Sequence, residues 1–237
     1  MTRYSASSAA NDTPTRLLHT AIALFAEHGL QAVSLRVINE HAGSKNGSAV
    51  QYHFGSRDGL LEAIVDYLWT EILQHTIVRL DRLETSDTPP SVRDIVEAIF
   101  EPALAYSLRP GIGLAAARLL PRVIEEAPPQ IRHRFAERLT GILSRAQILL
   151  IQAAPQVPES VLRLRLAFAL INGLHLVTDL HVLYGAEDVV NDPDTRVRVY
   201  DHFIATIAAG LAAPPETDPL FRRRLHAQTL SDRDAIQ

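Results

Sequence analysis

A chain of 237 residues with 47% hydrophobic and 21% charged residues can bury one sizeable core or two small ones, and its formal charge of −4 excludes a protein that coats nucleic acid through bulk charge. No cysteine is present, which excludes disulfides, thiolate zinc sites and cysteine nucleophiles. The opening MTRYSASSAANDTPTR lacks the apolar run of a signal peptide, and no later stretch offers about 18 uninterrupted apolar residues, so a cytoplasmic location is the expectation.

Residues 1–12 are small, polar and without periodicity, and read as a disordered arm in which Arg3 is solvated. A first helix is expected over about 14–28, with Thr13 as cap, Pro14 at the first position and Leu18, Ile22 and Phe25 on one face. Ser34 can accept from the first free amides of a second helix, whose inner face is Leu35, Ile38 and Ala42. Gly43 tolerates the left-handed backbone that ends it, and after Ser44-Lys45 the side chain of Asn46 is expected to cap a third helix. In that helix Val50 and Phe54 point inward with Asn46 and His53 beside them, while Ser48, Gln51 and Tyr52 take the opposite face. A rod with hydrogen-bonding groups and no bulky aliphatics outside fits a DNA major groove about 12 Å wide, with Ser and Gln reading base edges and Tyr or His holding phosphates.

These residues resemble the tetracycline-repressor (TetR) family of transcriptional regulators. The match runs through Leu18, Ala21, Leu24, Phe25, Gly29, Ser34, Arg36, Ile38, Ala42-Gly43, His53-Phe54-Gly55-Ser56-Arg57 and Leu60-Leu61, about the first quarter of the chain. Two departures stand out: a turn one residue longer than usual, with Asn46 where the family commonly caps with serine, and Gln51 where a tyrosine is common. The resemblance implies an all-α fold of about nine helices, a three-helix DNA-binding head and a ligand-binding, dimerising body. Residues 1–60 hold five basic side chains (Arg3, Arg16, Arg36, Lys45, Arg57) against four acidic ones (Asp12, Glu27, Glu40, Asp58). A mildly basic head suits a few positioned phosphate contacts. The candidate DNA-contacting set is Ser34, Arg36, Lys45, Asn46, Ser48, Gln51, Tyr52, His53 and Arg57. Arg57 enters because a cation in the first turn of a helix opposes the macrodipole and is explained by a nearby phosphate, a role the resemblance also implies.

Ser56 caps a fourth helix with Asp58 in its first turn, and the series Leu61, Ile64, Val65, Leu68, Ile72 carries it to about Leu80, linking head to body. ETSDTPPS is a loop. Ser91 caps a helix over about 92–108, Arg109-Pro110-Gly111 breaks it, and helices over about 112–124 and 130–153 follow. Helix eight, about 159–184, is apolar nearly all round, and helix nine, about 193–211, carries Val197, Tyr200, Ile204, Ile207 and Leu211; together they predict a two-fold four-helix interface between two copies. From Pro214 the chain reads as a tail, with Arg222-Arg223-Arg224 solvated or a short helix near 220–230. The expected division is an arm 1–12, a head 13–60, a body 61–213 and a tail 214–237.

Trp69, Phe100, Leu104, Tyr106, Leu114, Arg118, Asn172, His175 and Asp179 are the candidate lining of an effector pocket for an aromatic, fatty or drug-like molecule, an expectation from the resemblance. His175 and Asp179, four apart, share a helical face; two ligands alone make no metal site, and a buried hydrogen bond or polar lining is the plainer reading. No GxSxG elbow or phosphate loop accompanies them, so no enzyme, metal or cofactor is expected. The resulting expectation is a cytoplasmic homodimeric regulator, a repressor released from a palindromic double-stranded operator by a small, largely apolar ligand. Its rival is a helical small-molecule-binding or hydrolytic protein that leaves the head unused.

Overall fold

A computed structural model describes residues 13–44, 46–184 and 192–215, with side chains of 177–184 excluded. The sequence expectations for Arg3, Lys45, the Asp179 side chain and the arginine triplet 222–224 lie outside the described residues. Those residues are all helical, with no strand among them. The helices are α1 (Thr13–His28), α2 (Leu35–His41), α3 (Ala49–Phe54), α4, α5 (Val92–Ser107), α6 (Ile112–Glu126), α7 (Pro129–Ala153), α8 (Glu159–Tyr184) and α9 (Pro193–Ala212). The fourth is a composite rod, Arg57–Leu68 running through a π-helical turn at Trp69–Leu73 into Gln74–Glu84.

Local chemistry accounts for most helix starts. The hydroxyls of Ser34, Ser56 and Ser91 accept from the amides of Val37, Gly59 and Asp94, and Asp94 returns the bond to the Ser91 amide in a capping box. Asn46 departs from the expectation. It lies exposed in the turn, where its Oδ1 accepts from the Ser48 amide at 3.0 Å, and α3 begins only at Ala49. Asn46 stands two residues before the N-cap position at Ser48, so its carboxamide closes an Asx-type turn instead.

Two apolar cores result. The first joins α1, α2, α3 and the start of α4 to α6 and the first turns of α7: Phe25, Ile38, Val50 and Leu60 are buried in the same cluster as Leu119 and Ile131. The functional boundary near residue 60 is therefore not a boundary of packing. The second core lies in the body, where Leu80, Ile95, Leu150, Leu162 and Ile204 meet. Here Tyr200, Ile204 and Leu211 of α9 are buried within one protomer, so that part of the stripe assigned from sequence to an inter-subunit contact packs inside the body, while Val197 stays exposed. Along α8 the two sides differ: Leu162, Leu166 and Ala169 are buried, while Leu164, Phe168 and Ile171 are more than half exposed.

Candidate nucleic-acid interface

The helix-turn-helix is held by a residue that sequence reasoning passed over. Asn39 on α2 is only 2% exposed; its Nδ2 donates to the Gly47 carbonyl at 2.6 Å and its Oδ1 accepts from the Val50 amide at 3.0 Å. One carboxamide thus fixes the turn and the first turn of α3 to α2. The available signal was a polar residue on the inward stripe beside Ile38, a position that asks for partners inside the protein. Across the same pair, Arg16 of α1 donates from Nε to the Ala42 carbonyl at 2.9 Å, closing the end of α2.

With Ala49 and Val50 buried beneath it, α3 turns its polar side outward. Ser48, Gln51, Tyr52 and His53 are all exposed, Tyr52 at 81%. His53, placed from sequence beside the inward residues, stands outside, with its ring edge-to-face with Tyr52 at 5.0 Å and 6.4 Å from the Phe54 ring. Six helical residues span about 9 Å, short enough to enter a major groove end on. Ser34 is committed to its cap and Arg36 is paired with Glu40 at 2.8 Å on the exposed side of α2.

Arg57 has partners of its own. Its Nη1 donates to the Val33 carbonyl at 2.5 Å, its Nη2 to the Leu30 carbonyl, and the guanidinium stands 5.3 Å from the centre of the Phe25 ring. The cation in the first turn of α4 is thus explained by intramolecular bonds, and the sequence argument for a phosphate no longer stands on charge placement. Leu30 is held from the other side too: Glu126, at the end of α6, accepts from its amide at 2.7 Å and pairs with Arg122 at 2.9 Å. The α1–α2 loop is thereby tied to head and body at once.

A second polar chain crosses between them. His19 of α1 meets the Tyr67 hydroxyl at 3.1 Å, which meets the Tyr106 hydroxyl of α5 at 2.6 Å. Burial holds the His19 imidazole below its ordinary value, opposed by the charge of Glu71, and burial raises both phenols. Tyr106 borders a polar cleft with Glu71, His75, Arg79 and Arg109, apart from the apolar cavity of the body.

That cavity encloses about 90 Å³ between α4, α5, α6, α7 and α8. Phe100 and Leu104 line it, together with Leu73, Thr76, Phe135 and Gly173. The other described candidates are not in its lining. Trp69 lies under the Arg138 guanidinium at 5.1 Å, and Leu114 is half-buried in the second core. Asn172 is exposed and donates to the Phe168 carbonyl, and His175 Nε2 is 3.9 Å from Glu125 Oε1. Arg118 has its Nε buried without a hydrogen-bond partner, and burial together with the charge of Arg196 holds it below the usual arginine range.

Comparison with known proteins agrees with this geometry. A family model described as bacterial regulatory proteins, tetR family, matches residues 17–64, and one described as tetracyclin repressor-like, C-terminal domain, matches residues 97–210. No curated protein matches the sequence. Among solved structures, the TetR family regulator PfmR from Thermus thermophilus is 17% identical, with a TM-score of 0.58 over 87% of this chain and 99% of its own. AmtR of Mycobacterium smegmatis is 16% identical, with a TM-score of 0.59 over 90% and 100%. A transcriptional regulator from a Rhodococcus species is 22% identical, with a TM-score of 0.52 over 86% and 100%. With both halves matched and the helix-turn-helix in place, this chain belongs to the TetR family of DNA-binding transcriptional regulators.

Proposed function

We propose that the protein is a repressor that binds a palindromic operator as a homodimer and is released by a small, largely apolar effector. The observation that carries the DNA half is the face of α3: Gln51 and Tyr52 fully presented to solvent over a sealed Ala49-Val50 underside, with Ser48 and His53 flanking. Ser48 and Gln51 supply base-edge hydrogen bonds; Tyr52, His53, Arg36 and Lys45 supply phosphate contacts. Arg57 acts by holding the loop at Leu30 and Val33.

Pairing of two copies is supported by the exposed Leu164, Phe168 and Ile171 stripe on α8, with Val197 on α9 exposed as well. Three large apolar side chains in one helical row are costly to leave in water. A second copy related by a two-fold axis covers them and sets two α3 helices about 34 Å apart, on successive major-groove turns.

Release follows from the path between cavity and head. The cavity touches Leu73 and Thr76 on α4, and the same rod ends at Arg57 against the α1–α2 loop; α6, which contributes Ala117 and Leu120 to the cavity, ends at Glu126 on that loop. A ligand that prefers one spacing of α4 and α6 therefore biases the tilt of the heads, by no more than its difference in affinity for the two arrangements. A mobility shift on DNA flanking the protein's own gene tests the reading: a salt-sensitive, sequence-selective complex is expected. A chain with an unused head gives none. No helix among the described residues is long and apolar enough to cross a membrane.

A further inference from the structure

Among the described residues, the apolar cavity has one polar side chain in its wall. Thr76 is 2% exposed, and its Oγ1 is buried without a hydrogen-bond partner. Every other described side chain around it is aliphatic or a phenylalanine, and Gly173 presses so closely that a Cβ there would stand 2.6 Å from Phe100 Cε1. A buried hydroxyl with no partner loses the bonds it had with water, so a native protein that keeps one owes an account of it. In a helix the usual remedy is a bond back to the carbonyl four residues earlier. Thr76 does not make it; the residue four before it, Ile72, belongs to the π-helical turn Trp69–Leu73, where the regular ladder is interrupted. Water is a poor alternative, because an ordered buried water needs two to four polar partners and the described side chains of this wall supply one.

We propose that Thr76 is the polar contact for the effector, and that the effector is an uncharged molecule whose apolar body carries a single ketone, ester, ether or hydroxyl oxygen. This deepens the reading of the cavity as the effector site and rests on it. No charged side chain among the described residues lines the wall, so an ionised group would meet no counter-ion there. A neutral oxygen, by contrast, accepts the Thr76 proton at little desolvation cost. The enclosed 90 Å³ is less than the roughly 150 Å³ that admits benzene, so a larger effector parts the walls, and the hydroxyl is the polar group it meets on α4. Discrimination between an oxygenated ligand and its hydrocarbon counterpart and the push on the DNA-carrying rod then arise at the same residue.

The test uses the full-length protein and two small probes of like shape, cyclobutanone and methylenecyclobutane, titrated by methyl NMR against wild type, Thr76→Val and Thr76→Ser. The ketone is expected to lose about fivefold or more in affinity in Thr76→Val and to recover in Thr76→Ser, while the hydrocarbon changes by less than about twofold. Thr76→Val should also melt no lower than wild type, since it removes an unpartnered hydroxyl at nearly constant shape. Equal ketone affinity in wild type and Thr76→Val overturns the role of Thr76 while leaving the cavity as a binding site. A Thr76→Val variant that melts well below wild type overturns it too, by showing that the hydroxyl is satisfied in the folded protein. Failure of both probes to shift any cavity methyl overturns the cavity reading itself.

Discussion

Substituting Asn39 by alanine should weaken the helix-turn-helix more than any exposed change on α3. The substitution removes two bonds, to the Gly47 carbonyl at 2.6 Å and from the Val50 amide at 3.0 Å. Gly47 is exposed and its carbonyl can turn to water, whereas Val50 is fully buried and its amide is left without an acceptor. An orphaned buried donor costs about 1–3 kcal/mol and the second bond about 1 kcal/mol, so the expected loss is about 2–4 kcal/mol. At a slope of about 2–3 kcal/mol per molar urea, the unfolding midpoint falls by about 1 M at fixed protein concentration. Asn46→Ala is the matched control. It loses the bond to the Ser48 amide in an exposed turn and should stay within about 0.5 kcal/mol of wild type. DNA affinity should fall in Asn39→Ala as well, because α3 is no longer anchored to α2. A midpoint within about 0.2 M of wild type would refute the claim that Asn39 clamps the motif.

Three further outcomes follow from the same structure. Gln51→Ala, at an exposed position, should cost about 1–3 kcal/mol on the cognate DNA site and blunt discrimination at one base pair, with the unfolding midpoint unchanged. Phe168→Glu should give a monomer by light scattering, since it places a charge in the middle of the α8 stripe; a dimer of unaltered stability would move the interface elsewhere. Because burial lowers the His19 pKa from 6.5, the unfolded chain binds more protons there than the folded one. Its contribution is therefore complete above pH 6.5 and lost as pH falls from 6.5 through the folded value, and His19→Gln should flatten the stability profile below pH 6.5.

Periodicity and caps carried the helices. Ser34, Ser56 and Ser91 cap where expected, and Gly43 ends α2 at φ +63°. What sequence could not weigh is tertiary competition for the same group. The Asn46 carboxamide had a turn amide nearer than the helix start, and Arg57 had the carbonyls of Leu30 and Val33, brought to it by a loop some 25 residues away in the chain. The helical stripe of α9 was visible, but periodicity does not say whether its partner is α5 or another copy. The cavity was the least legible part, since it depends on where five helices leave a gap; Thr76 reads as an ordinary polar residue until its neighbours are known.

The most direct test of the account is selection of DNA from a random pool by the purified protein at several salt concentrations. Enrichment of an inverted repeat with half-site centres about one helical turn apart, bound less tightly as salt rises and lost in Gln51→Ala, is the predicted result. A pool that yields no repeated half-site, or one enriched equally by Gln51→Ala, contradicts the claim that the outer face of α3 reads the operator.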